Sequence, residues 1–365
     1  MRILLLAGPI TIGLLAAAAS AAAVVRYASP TGSGSACTNV ATPCAINVAI
    51  NSAGMNDEVV LLGGVPPAAP YVTSTPLTGT NGVDIHGAPG ARPVIQSTAA
   101  GDAVTVNSGG SIADAVIEYT GNFTALLANG AEVDRVSAHG DGLTACGAVN
   151  NAFIADSVCR YTGSSAFGAG LTAEPAGSNG NVMVRNVTAV ASTGPGILAQ
   201  TLNSFNISLV AVNTIADGNP NDIYAARSNS GLPSVGMVNS NFATAGADAG
   251  GNVTAPGSSA NQTAAPVFAD AAAGDFHQLS TSTGTVDRGT DFISLGSFDF
   301  EGQARVQGPA PDIGADEGAL PSTGGPAPLP APPFNLKAAL KKCKKIKSQA
   351  KRKKCTKRAK ARAGA

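Results

Sequence analysis

The chain has 365 residues with 44 Gly, 23 Pro, 11 Phe, 5 Tyr and no Trp, which excludes an ordinary globular core of large side chains and favours a body filled by small aliphatic ones. The formal net charge of zero hides a split: residues 337–365 hold 14 of the 23 Lys and Arg and no acid, so the first 336 residues set nine Arg against 23 acids. An acidic body of that kind repels nucleic acid and acidic glycans, while the terminal block attracts them.

In chain order, Met1-Arg2, the apolar run Ile3–Leu15 and the small residues Ala16–Ala23 predict a signal peptide over 1–23, cut after Ala21 or Ala23. The expected localisation is therefore secreted or cell surface, with no transmembrane segment after cleavage. The six Cys agree with export and fall as close pairs, Cys37/Cys44, Cys146/Cys159 and Cys343/Cys355. Sequential pairing is one of fifteen connectivities, and Cys37–Cys44, closing a short loop, is the pair best supported by spacing. A short helix is expected over 45–53, covering the open end of whatever follows, and the first strand over 57–62.

From Ile112 to Phe242 one short phrase recurs six times: Ile-Ala-Asp-Ala-Val at 112–116, Val-Asp-Arg-Val at 133–136, Ile-Ala-Asp-Ser-Val at 154–158, Val-Arg-Asn-Val at 184–187, Leu-Val-Ala-Val at 209–212 and Val-Asn-Ser-Asn-Phe at 238–242. Taking Val116, Val136, Val158, Val187, Val212 and Phe242 as equivalent, the period is variable and in the range of a solenoid. An Asp two residues before a buried Val would share its core on a straight strand. Three stacked unpaired carboxylates are prohibitive there, so the chain must bend between Asp and Val, once per repeat. The expectation is a right-handed parallel β-helix over 24–264 with an N-terminal cap, rungs running from Val59 to Phe242 and loop over 243–264.

Residues 265–318 differ in character, with Pro266-Val267-Phe268, Asp275-Phe276-His277-Gln278-Leu279, Val286-Asp287-Arg288-Gly289, Asp299–Arg305 and Asp312-Ile313-Gly314-Ala315-Asp316-Glu317. These stretches, with the opening Tyr27-Ala28-Ser29-Pro30-Thr31-Gly32, resemble exported bacterial β-helix repeat proteins of the choice-of-anchor type within the pectin-lyase-like superfamily. The resemblance covers roughly 27–318 and departs at Thr283-Gly284-Thr285, where that family has Ser-Pro-Ala. It implies an exported β-helix at the cell surface with a C-terminal module over 265–318, and it does not imply an enzyme. The seven carboxylates from Asp287 to Glu317, beside Arg288 and Arg305, are expected to form an Arg–carboxylate network closing the last rung.

Candidate site residues follow from the repeats. Asp114, Asp134 and Asp156 form a column that needs solvent, a cation or a neighbouring Arg135 or Arg160, and calcium suits a row of hard oxygens. The bend argument favours turn formation for them, with no cofactor expected. Asp217–Asp222 matches a calcium loop at its first, third and fifth positions but has Asp222 where Gly is needed. An enzyme reading, a polysaccharide lyase or glycoside hydrolase, finds its best cluster in His139 with Asp141, near Arg135 and Tyr161.

Leu320-Pro321-Ser322-Thr323-Gly324 matches a wall-sorting pentapeptide, but no apolar span follows it, so 319–335 reads as a Pro-rich linker. The tail over 336–365, with Lys341, Lys342, Lys344, Lys345, Lys351, Arg352, Lys353 and Lys354, is helical or disordered by composition and suited to cell-wall or other extracellular polyanions. In one continuous helix Cys343 and Cys355 would sit too far apart to pair. The sequence thus predicts a monomeric all-β surface protein whose role is non-catalytic, adhesion or glycan contact, with no sequence-specific nucleic-acid binding.

Overall fold

The computed structural model describes residues 22–63, 69–165, 167–291 and 296–318. The expected signal segment up to residue 21, the sorting-type pentapeptide, the linker, Cys343, Cys355 and the basic tail lie outside the described residues.

Two parallel sheets, of 13 and 8 strands, account for the body, and a separate two-stranded antiparallel hairpin lies beyond them. The larger sheet runs through Ser111–Tyr119, Glu132–Gly140, Phe153–Tyr161 and Gly180–Ala191 in sequence order. Between these, the chain crosses to the smaller sheet at Thr124–Asn129, Thr144–Val149 and Ala169–Glu174. A chain that visits each sheet once per turn, always in the same direction, is a coil, and the protein is a parallel β-helix.

Its interior is lined by stacks of like residues brought into register. Ile85, Ile112, Val133, Ile154, Val184, Ala211 and Met237 align on successive strands of the larger sheet and are buried. Val104, Leu126, Cys146, Leu171, Ile197 and Ile223 do the same from the smaller sheet. Cys146 and Cys159 are disulfide-bonded across this interior, and Cys37 and Cys44 close the N-terminal loop. The helix Ile46–Asn51 buries Ile46, Ala49 and Ile50 against the first strands of both sheets, as its expected capping role requires.

The bend is real, and it falls at one left-handed residue per rung: Asp114, Arg135, Asp156, Asn186, Asn213 and Asn239, with φ between 45° and 54°. Asn and Asp tolerate this region because their short side chains bond locally. The column differs from the expected one in its second member. Asp134 pairs in register with Ala113 and Ala155, and Arg135 occupies the bend between Asp114 and Asp156. Arginine is no natural left-handed residue, but its guanidinium donates from Nε and Nη2 to the two Asp114 oxygens at 2.7 and 2.8 Å and from Nη1 to Asp134. The clamp from the preceding rung holds the strained position. The Val equivalence shifts with it: Val136 aligns with Ala115 and its N–H donates to Ser157 Oγ, whereas Val158 aligns with Ser137 and Thr188.

Two boundaries also move. Val25–Ala28 forms a strand before the expected first one and pairs with Glu58–Leu61, because Val24 N–H and Arg26 both bond the Asp57 carboxylate. Residues 243–264 are not simply loop: Ala245–Ala247 and Asn252–Val253 extend both sheets by another turn.

The C-terminal module does not close the last rung. It folds back along the outer face of the larger sheet, where Val158, Phe276, Phe300 and Ala315 form a second apolar cluster and Arg92 stacks on Phe300. Arg305, 1% exposed, donates to Asp156 Oδ1 at 2.7 Å and to the carbonyls of Gly314 and Ala315. Ala315 N–H donates to Thr188 Oγ1, Gly314 N–H to the Asn213 carbonyl and Thr290 N–H to Asn213 Oδ1. The bend residues thus serve a second purpose as docking points.

Candidate functional site

The expected catalytic cluster is not brought together. His139 points out from the larger sheet with Nδ1 2.7 Å from Glu118 Oε2 and Nε2 2.8 Å from Thr162 Oγ1. Asp141 accepts from Gly121 N–H on the preceding turn, Arg135 is engaged by Asp114 and Asp134, and Tyr161 is fully buried with its hydroxyl on Gly142 and Ser165. Each of the four therefore holds its own rung or a rung-to-rung contact.

The Asp residues at the bend, and Asp134 beside it, are neutralised by guanidinium groups. Asp114 and Asp134 share Arg135; Asp156 takes Arg185 at 2.8 Å, Arg305 at 2.7 Å and the Asn186 amide at 2.9 Å. Burial pushes the Asp134 carboxyl up to about 6, against the pull of Arg135. Arg160 instead reaches the Ala272 carbonyl in the C-terminal module. Asp222, in the calcium-loop match, spends its oxygens on the N–H groups of Gly218, Ala243 and Thr244.

Acids of the C-terminal segment act the same way, on backbone amides more than on arginines. Asp299 accepts from Glu301, Gln303 and Glu317; Asp312 accepts from Asp287 and Gly318; Glu317 accepts from Gln307 and Asp312. Arg288 donates to the Thr283 carbonyl. Turns with few apolar side chains are held here by carboxylates that satisfy otherwise orphaned N–H groups.

Burial raises Asp316 to about 6 and Glu317 to about 7, overriding those hydrogen bonds. For His277, burial acts downward, but Glu301 and Asp275 outweigh it and raise the ring to about 9. In all three the folded form holds its proton more tightly than the unfolded chain. For the acids the contribution is complete below the ordinary carboxylate range and is lost as pH rises through about 6 for Asp316 and about 7 for Glu317; for His277 it is complete below the ordinary imidazole range and is lost through about 9. Asp275, lowered chiefly by its bond to His277, opposes this only in stronger acid. In chelator, the module should therefore be more stable at pH 5.5 than at pH 8.5, read as hydrogen-exchange protection in 265–318 after correction for the intrinsic exchange rate at each pH. Equal protection at both would show that burial of these acids is relieved by water.

A different surface carries a regular row of uncharged polar groups. At the start of four late strands of the larger sheet, Asn181, Ser208, Ser234 and Asn252 stand in register on neighbouring strands. They line a shallow groove of about 470 Å³ with Asn179 and Asn206 and without an ionisable side chain. The corner is built by an amide ladder: Asn206 N–H donates to Asn179 Oδ1 and Leu232 N–H to Asn206 Oδ1, both at 2.8 Å. Arg227 spends its guanidinium on the carbonyls of Asn229, Ser230 and Ala249, pinning the adjoining loops. Two residues along the same face, Met183 and Val210 are in register and exposed. Row spacing equals the interstrand distance, about 4.8 Å, so polar groups repeat along the helix axis beside these two exposed apolar side chains. The repeats hid this row, because Asn181, Ser208 and Ser234 lie before their phrases and Asn252 beyond the last one, and they become a row only once register is known.

No protein-family model matches the chain, and no curated protein matches it. Among solved structures it is similar to the crystal structure of pectate lyase Pel9A, at 12% sequence identity, over 81% of this chain and 96% of that one, with a TM-score of 0.43.

Proposed function

We propose that the protein is an exported, non-catalytic β-helix of the choice-of-anchor type that contacts a neutral glycan along the row Asn181, Ser208, Ser234 and Asn252. The row itself carries the reading. Sugars present hydroxyls around an apolar ring face, and amide and hydroxyl groups at regular spacing beside exposed Met183 and Val210 match both surfaces. A groove without charge favours neutral glycans over uronates, which call for a cation or base against each carboxylate. Two disulfides agree with an extracellular setting. The basic tail, by composition, retains the protein on surface polyanions.

The test is titration of neutral and uronate oligosaccharides into the purified protein, with product analysis. Binding of neutral oligosaccharides without turnover, weakened about 3- to 10-fold by Asn181→Ala or Ser234→Ala through loss of one hydrogen bond, is the expected outcome. Chain cleavage would replace this reading with a lyase or hydrolase. Affinity untouched by both substitutions would move the site elsewhere.

A further inference from the structure

The C-terminal module holds a side-chain cluster that belongs neither to the coil nor to the glycan groove. His277 lies on the hairpin strand Asp275–Gln278, Glu301 follows Phe300 in the next loop, and Asp316 belongs to the closing segment. One ligand-type atom from each lies within 4.8 Å of the other two.

Two observations mark this as a built site rather than a chance gathering of acids. Asp316 is 2% exposed; its Oδ2 accepts from Gln278 N–H at 2.7 Å, but Oδ1 is buried with no hydrogen-bond partner. A buried carboxylate oxygen left without a donor is costly, and a cation is the natural remedy. Secondly, His277 is oriented as metal-binding histidines are: Nδ1 sits 2.5 Å from Asp275 Oδ1, which directs Nε2 toward Glu301 Oε2, 2.8 Å away.

We propose that His277 Nε2, Glu301 and Asp316 together bind a divalent transition-metal ion, zinc before others. An imidazole nitrogen with two carboxylate oxygens is a donor set for zinc, whereas calcium takes six to eight oxygens and no nitrogen. On binding, the ion takes the place of the proton shared between His277 and Glu301 and supplies Asp316 Oδ1 with its missing partner. It ties three separate segments of a module whose own apolar cluster is small, so its role is that of a staple. The proposal is independent of the glycan reading.

The experiment uses the full chain, stripped with chelator and dialysed against zinc, with bound metal counted by elemental analysis. His277→Gln and Glu301→Gln, both on partly exposed side chains, are compared with it, together with the buried Asp316→Asn. Expected is one zinc fewer per chain in the two exposed-site variants, or at least about tenfold weaker uptake. Wild-type resistance of 265–318 to protease should also rise with zinc and not in the variants. No zinc uptake by the wild type at micromolar metal, or uptake unchanged in both Gln variants, would overturn the site. Tighter binding of calcium than of zinc would overturn the choice of ion.

Discussion

Arg305→Met is expected to release the C-terminal module from the flank of the β-helix while leaving the coil intact. The guanidinium is buried, and it donates to Asp156 in the rungs and to two carbonyls of its own segment, Gly314 and Ala315. Methionine fills the space but leaves the Gly314 carbonyl without its donor, the Ala315 carbonyl with Phe300 N–H alone, and Asp156 short of one cation. Removing one partner from a buried pair costs about 3–5 kcal/mol. Asp156 keeps Arg185 and the Asn186 amide, so the damage falls on the module side. Proteolysis and hydrogen exchange should show residues 265–318 opening while Ser111–Val238 stays protected. Arg288→Met is the control, since among the described residues Arg288 reaches only the Thr283 carbonyl, from an exposed position, and such changes stay within about 0.5 kcal/mol. Equal effects from the two substitutions would mean that the apolar cluster at Phe276 and Phe300 holds the module by itself.

The second large effect concerns retention. Deleting residues 336–365 removes 14 cationic side chains and leaves a strongly acidic protein. Binding to polyanions should disappear, since the remaining body repels them. With DNA as a convenient probe, a tail engaging six to ten phosphates should lose about 10³- to 10⁵-fold in affinity between 50 and 200 mM salt, with no dependence on base sequence. Retention by the truncated protein, or salt-insensitive retention by the full chain, would rule out the electrostatic mechanism.

Much of the body was legible from local chemistry. A phrase ending in Val and carrying Asp or Asn at its centre implies a bend and a buried residue, and the coil has both. The cap helix and the Cys37–Cys44 loop were readable for the same reason, because each depends on residues a few positions apart. Register was not. Arg135 sits at the bend because Asp114, 21 residues earlier, clamps it, and nothing in Val-Asp-Arg-Val distinguishes that arrangement from one with Asp134 in the bend. The acids from Asp287 to Glu317 suggested pairing with arginines; in the fold Asp299, Asp312 and Glu317 serve backbone amides that no side-chain pattern reveals.

The sequence by itself determined the coil, its small-residue interior, its turn chemistry and its division into an acidic body and a basic end, since these follow from periodicity and composition. Tertiary structure alone decided which surfaces exist to be used. Arg305 meets Asp156 across 149 residues, Asn181 meets Ser208 and Ser234 only through strand register, and His277, Glu301 and Asp316 converge only after the module folds back on itself. Each depends on the packing of distant segments, where many alternative pairings share the same local pattern and differ only in the contacts that the finished fold satisfies.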